Sequence, residues 1–221
     1  MRLKLFFASA VLAATAIAPA VANAEVLYDN IGAVTAASDA AASSGPLYNS
    51  FSTGATAPTI SQFDLLLSGT ARDGGTFQVQ IVTDNPGSGP GSTSLYTSGA
   101  ISDNILSTAV TDVNFSFAPV VLSASNRYWI GLIGDSLSSV AWAWTIGNGG
   151  TGVAGEYYAN ALGGPFSNDD LIGAGEPYQM RVTDAPAVAT TPLPGALPLF
   201  ATGLGALGIV GWRRKRKART V

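Results

Sequence analysis

Between residues 25 and 184 many segments alternate apolar with polar side chains or form short apolar runs, and no stretch shows a convincing 3.6-residue spacing of a packed helix. That periodicity constrains the chain most, because it admits strands and rejects helical bundles. Thr76 to Thr83 reads TFQVQIVT, with Phe77, Val79 and Ile81 on one side. Val110 to Phe117 repeats the pattern through Val113, Phe115 and Phe117. Thr59 to Leu67 alternates in most positions through Ile60, Phe63, Leu65 and Leu67. Tyr128 to Ile133 and Val140 to Ile146 are denser apolar runs that suit central strands. Shorter candidates are Val26–Tyr28, Tyr48–Thr53, Leu95–Tyr96, Ala100–Ile101, Glu156–Ala159 and Tyr178–Thr183.

Turn signals separate these runs. Gly69–Gly75 reads as a turn, Asp84–Ser92 (DNPGSGPGS) as a turn-rich loop, and Asp39–Ser44 as a loop. The cluster Gly147-Asn148-Gly149-Gly150-Thr151-Gly152 has the glycines of a phosphate cradle but lacks the Lys-Ser/Thr and helix that complete one. It reads as a hairpin loop. About ten short strands in about 160 residues predict an all-β domain over 25–184, an antiparallel two-sheet β-sandwich of jelly-roll type.

The ends follow a different logic. Arg2 and Lys4 precede the uncharged run Leu5–Ala18, and Ala22-Asn23-Ala24 supplies a small-x-small site before Glu25. Basic head, apolar core and cleavage site in that order predict a secretory signal peptide over 1–24, with Ala22 and Ala24 at the cleavage site. At the other end, a Pro/Ala linker over 185–195 leads into the uncharged segment Ala196–Trp212. Those 17 residues would span about 25 Å as a helix, the short end of a membrane crossing. The tail over 213–221 carries Arg213, Arg214, Lys215, Arg216, Lys217 and Arg219, a stop signal expected to stay cytoplasmic. Pro192-Leu193-Pro194-Gly195 just before the segment favours extended backbone, which a processing enzyme can grip.

Thr191 to Ala218, TPLPGALPLFATGLGALGIVGWRRKRKA, resembles the PEP-CTERM sorting signals in their VPLPA-CTERM variant. Thr191 stands where that variant has Val, Gly195 where it usually has Ala, and Leu193 where the main group has Glu. The resemblance implies a Gram-negative bacterium, sorting by an exosortase-type membrane enzyme, and association with exopolysaccharide and biofilm at the cell surface. The body resembles the choice-of-anchor R domain through Tyr28-Asp29-Asn30, Ser50–Gly54, Gly89–Ser92, Leu122, Tyr128-Trp129-Ile130, Trp142 and Pro177–Val182. That likeness implies an extracellular β-sandwich and brings no catalytic residues.

Removing the ends changes the charge. The whole chain carries −3, but the body over 25–190 holds three arginines (Arg72, Arg127, Arg181) against all fourteen carboxylates, a formal charge of −11. Such a surface repels nucleic acid and attracts cations. The chain has no His and no Cys. That excludes a thiolate or imidazole metal site, a disulfide framework, a cysteine nucleophile and a Ser-His-Asp triad. The body also lacks Lys. A catalytic role is therefore not expected; the glycosidase alternative needs two carboxyls about 5–9.5 Å apart, and fourteen acids make a chance pair easy.

Two ligand candidates stand beside plainer readings. Asp169 and Asp170, with Asn168 before them and Glu156 and Glu176 in reach along the chain, offer oxygen ligands for calcium, or form a solvated acidic loop. Trp142 and Trp144, with Trp129, Tyr157, Tyr158 and Tyr178, offer a stacking face for sugars, or pack the core between the sheets. The expected role is an exported structural or adhesive protein of the envelope or matrix. A carbohydrate- or calcium-binding module is the alternative.

Overall fold

A computed structural model describes residues 25–70, 74–146, 150–152, 158–160 and 176–185. The strands are β1 (Val26–Asp29), β2 (Thr35–Ala40), β3 (Leu47–Ser52), β4 (Thr59–Gly69), β5 (Thr76–Asn85), β6 (Gly89–Thr97) and β7 (Ile101–Ser102). They continue with β8 (Thr111–Val121), β9 (Arg127–Gly134), β10 (Val140–Thr145), β11 (Thr151–Gly152), β12 (Tyr158–Asn160) and β13 (Met180–Thr183). A single helical turn, α1 (Ala41–Ser44), and a 3₁₀ turn over Asp103–Ile105 complete the described elements.

The expectation of an all-β chain with two antiparallel sheets holds. One sheet runs β11-β1-β13-β4-β10-β2 with β8 on the other edge of β4, and the second runs β12-β3-β9-β5-β6 with β7 beside β6 on β5. Phe77 of β5 meets Phe115 of β8 edge-on at 6.3 Å, and Tyr96 of β6 stacks on Phe117 of β8 at 4.3 Å. These contacts join the two sheets, and the buried side chains form one apolar cluster. The alternation read in β5 is real: Phe77, Val79 and Ile81 are buried while Thr76, Gln78 and Gln80 are half-exposed. In β4, Ile60 and Phe63 both face inward although three residues apart, because the pairing with β8 shifts register between Ile60 and Gln62. Pro119, which has no N–H to give a ladder, lies in that irregular stretch of an edge strand.

The sheet containing β4 forks. Strand β10 pairs with β4 only through Val140–Trp142, opposite Gly69–Leu67. The opening is filled from Pro177 onward: Tyr178 bridges Trp144, and Met180–Val182 take up the pairing with Leu65–Phe63. Gln179 sits buried at the branch, its N–H on the Ala143 carbonyl at 2.8 Å and its own carbonyl accepting from Leu66 N at 3.1 Å. Its side chain donates to the Ala33 carbonyl at 2.8 Å and accepts from Thr35 Oγ1 at 2.6 Å. Asn30 mimics a strand neighbour, donating to the Tyr178 carbonyl at 3.0 Å and accepting from Met180 N at 2.7 Å. A forked sheet leaves backbone groups without a ladder, and buried amide side chains supply the missing partners.

Three local expectations need correction. Of Asp39–Ser44, read as loop, Asp39 and Ala40 close strand β2, held by pairing with β10 and by Tyr178 OH donating to Asp39 Oδ2 at 2.7 Å, and Ala41–Ser44 form the helical turn α1. Residues 84–92 form a tight hairpin, with Gly87 and Gly89 at φ 76 and 92 and Ser88 N on the Asn85 carbonyl. Within the glycine cluster, Thr151–Gly152 add a short strand to β1. That places Gly152 at φ 136, where an added Cβ would lie 2.2 Å from the Leu27 carbonyl. Among the described residues no helix is long and apolar enough to cross a membrane. The signal peptide over 1–24, the segment 196–212 and the tail 213–221 lie outside the described residues.

Candidate functional site

Strand register brings distant polar residues to one end of the second sheet. Ser52 closes β3 directly opposite Arg127, which opens β9, and Asp84 lies near the end of β5 on the other side of β9. The connection before β9 is clamped to the residues after β3. Thr53 N donates to the Asn126 carbonyl at 2.8 Å, and Thr53 Oγ1 donates to the Ser123 carbonyl at 2.7 Å while accepting from Asn126 N at 2.9 Å. Ser125 N donates to the Gly54 carbonyl at 2.8 Å. Ser125 carries φ 54, the left-handed region, and is the non-glycine residue there among those described. Strained backbone of this kind costs about 1–3 kcal/mol and persists only where neighbours enforce it.

The result is an open hollow of about 550 Å³ lined by Ser52, Thr53, Gly54, Ala55, Asp84, Ser125, Asn126 and Arg127. Asp84 is fixed in place by the indole N–H of the fully buried Trp129, at 2.7 Å from Oδ1. The lining offers a carboxylate, a guanidinium, an amide and hydroxyls. Its volume lies within the range of small-ligand sites, and its polarity suits a ligand that exchanges many hydrogen bonds.

A second cluster lies on the outward side of the other sheet. Asp29, Arg181, Asp64 and Asn114 occupy successive register positions on β1, β13, β4 and β8. Arg181 Nε donates to Asp64 Oδ2 and Nη2 to Asp112 Oδ2, both at 2.9 Å. Partial burial, then the nearby Asp64 charge, pushes the Asp112 carboxyl above the usual carboxylate range, against the pull of Arg181. The hydrogen bond to Asp64 raises the Arg181 guanidinium. These two carboxylates are joined by one guanidinium on a row of sheet residues. Exposed pairs of this kind contribute about 0–1 kcal/mol to stability.

The residues named from the sequence fall as follows. Trp142 is fully buried, stacked on Tyr178 at 4.8 Å, with its indole N–H on the Gln179 carbonyl at 2.9 Å. Trp144 is half-buried at the margin of the core. Asp169, Asp170, the motif Pro192–Gly195, the cleavage residues Ala22 and Ala24, and the basic cluster from Arg213 to Arg219 lie outside the described residues. Among the described residues no group of three or more acidic side chains is placed to hold a metal ion. The hollow was not visible in the sequence, because 52–55, 84 and 125–127 meet only through strand register. The turn composition of Asp84–Ser92 and the Gly54 position were its nearest signals. Neither a family model nor a curated protein matches this chain.

Proposed function

We propose that this chain is an exported surface protein of a Gram-negative envelope or its matrix, sorted by an exosortase-type enzyme and non-enzymatic in role. One observation carries the reading: the folded body uses the residues left when the two end segments are set aside. A compact unit runs from Ala24 to Pro186. Its first and last strands pair with each other, Val26 opposite Thr183, and Asp184 N donates to the Glu25 carbonyl at 2.8 Å. The described fold thus begins beside the predicted cleavage site, and its last described strand ends before Pro192. The resemblance of 191–218 to a VPLPA-CTERM signal supplies the sorting step, and that of the body to the choice-of-anchor R domain supports a jelly-roll sandwich. The −11 body disfavours nucleic acid as a partner.

Replacing Pro192 and Pro194 by Ala tests the sorting step. The expected result is retention of the unprocessed mass at the inner membrane. Unchanged mass and localisation overturn it.

A carbohydrate-binding role is the second reading, favoured by the hollow at Asp84 and Arg127. Exopolysaccharide fits its mixture of donors and acceptors. A glycan array with the Asp84→Ala variant as control tests it, and no glycan signal lost in that variant removes it.

A further inference from the structure

The hollow at the end of the second sheet holds two opposite charges that are not joined to each other. Thr83 pairs with Tyr128, so the next positions on the two strands, Asp84 and Arg127, are neighbours, and Ser52 faces Arg127 from β3. Opposite charges at such positions ordinarily pair. Here the Asp84 carboxylate turns to the indole N–H of Trp129, at 2.7 Å from Oδ1, and among the described residues the ion pairs are those of Arg181. Trp129 is fully buried, so this bond fixes the carboxylate where it stands. Oδ2 takes no donor among the described residues, and Asp84 is half-exposed at the hollow.

The walls are rigid and their side chains small. Thr53 Oγ1 ties down the Ser123 and Asn126 backbone, and Ser125 keeps its φ of 54 beside them. Backbone strain of this kind clusters at ligand sites. Asp84 pairs with Pro90 near the base of a tight hairpin. A Cβ on Gly54 would meet nothing nearer than Glu25 Oε1 at 4.0 Å, so the space beside it is open. None of the described residues lining the hollow carries an aromatic ring or a large aliphatic chain.

These features select a ligand. With no ring to stack on, binding comes from hydrogen bonds, and the lining mixes a carboxylate acceptor with hydroxyls, an amide and a guanidinium. A guanidinium has five N–H donors, so Arg127 serves a ligand beside any protein partner. That same guanidinium opposes a bound cation. A polyanion meets Asp84, the Glu25 carboxylate beside Gly54 and a body of formal charge −11. A neutral, hydroxyl-rich molecule meets neither obstacle. We infer that the hollow takes the end of a neutral glycan, adjacent sugar hydroxyls donating to Asp84 while Arg127 and the serine hydroxyls donate to sugar oxygens. Trp129 is the positioning residue that holds Asp84 for it. This rests on the carbohydrate reading of the hollow and narrows it to uncharged sugars bound without stacking.

The test uses the full chain in a zwitterionic detergent, so that no sugar headgroup competes. The probes are neutral oligosaccharides of glucose, galactose, mannose and rhamnose, beside alginate and polygalacturonate fragments. Neutral probes should bind, with an affinity unchanged from low salt to about 0.5 M, because no charge pair is screened. Asp84→Asn should weaken them about tenfold or more, through loss of the charged acceptor. Trp129→Phe should weaken them several-fold alone and add nothing to Asp84→Asn, which a merely structural role would not produce. Gly54→Trp, placed in open space, should abolish binding with the thermal midpoint unchanged. Uronic-acid fragments that bind in the hollow and tighten with Asp84→Asn overturn the inference while the carbohydrate reading stands. Neutral binding that survives both Asp84→Asn and Gly54→Trp overturns both, as does an array with no glycan bound. Losses at Trp129 and Asp84 that simply add overturn the positioning role.

Discussion

Trp142 and Trp144 stand two residues apart on one strand, and a simple alternation makes them equivalent. The structure makes them unequal, and Trp→Ala at each position measures the difference. Trp142 is fully buried, lies against Tyr178 with ring planes 21° apart, and anchors the branch of the forked sheet through its indole N–H. Truncating a buried Trp costs about 3–5 kcal/mol, within which the aromatic pair accounts for about 0.5–1.5. The Gln179 carbonyl that loses the indole keeps Leu66 N at 3.1 Å, so no orphaned acceptor adds to the cost. Trp142→Ala is therefore expected to lose about 4 kcal/mol, a fall in Tm of roughly 8–16 °C for a domain of this size. Trp144→Ala, at the half-buried margin, is expected to lose about 1–2 kcal/mol. Guanidinium unfolding followed by far-ultraviolet circular dichroism reads both, with an unchanged m-value as the check that the unfolded state is the same. A loss below about 1.5 kcal/mol at Trp142, or a loss at Trp144 as large as at Trp142, refutes the assignment of Trp142 to the core.

Gly131 lies between Tyr48 and Gln80 in register, and a Cβ there would approach Tyr48 Cε1 to 2.5 Å. Gly131→Val should break the hydrogen bond between Gln80 and Tyr48 and cost about 1–3 kcal/mol, checked by chemical unfolding. Gln179→Leu should cost about 1–3 kcal/mol and speed amide exchange in the 31–35 segment, because the Ala33 carbonyl and Thr35 hydroxyl lose their anchor. Unchanged exchange there would show that the loop is held by other means. The Asp135 carboxyl is held below the usual range by the Thr76 hydroxyl first and by backbone N–H groups of Thr76, Leu137 and Ser138. A lowered pKa means the stabilisation is present above the unfolded value, about 4, and is lost as pH falls through the folded value. Thr76→Val should move the Asp135 titration upward in carbon-detected NMR, and the stability gap to the unaltered chain should close below about pH 4. An Asp135 that titrates in the usual range before the substitution is the contrary result.

The strands with strong alternation could be read directly. Phe77, Val79 and Ile81, and Val113, Phe115 and Phe117, line up as their spacing says, because a period of two leaves one face for the core. Strand β2 could not be read. Thr-Ala-Ala-Ser-Asp-Ala has small, weak strand formers, and its register comes from pairing with β10. The hairpin at 84–92 looked like loop because its glycines and prolines disguise a tight turn between two paired strands.

Local order in the chain was sufficient to determine an all-β body, its acidity and the chemistry that its missing His and Cys forbid, since each depends on neighbouring residues or on simple counts. Tertiary structure decided the rest: which of two tryptophans is core, where the sheet forks, and that Ser52, Asp84 and Arg127 share a hollow. Those facts depend on strand order and register between residues 30 to 150 positions apart, and no local pattern encodes a pairing across that distance.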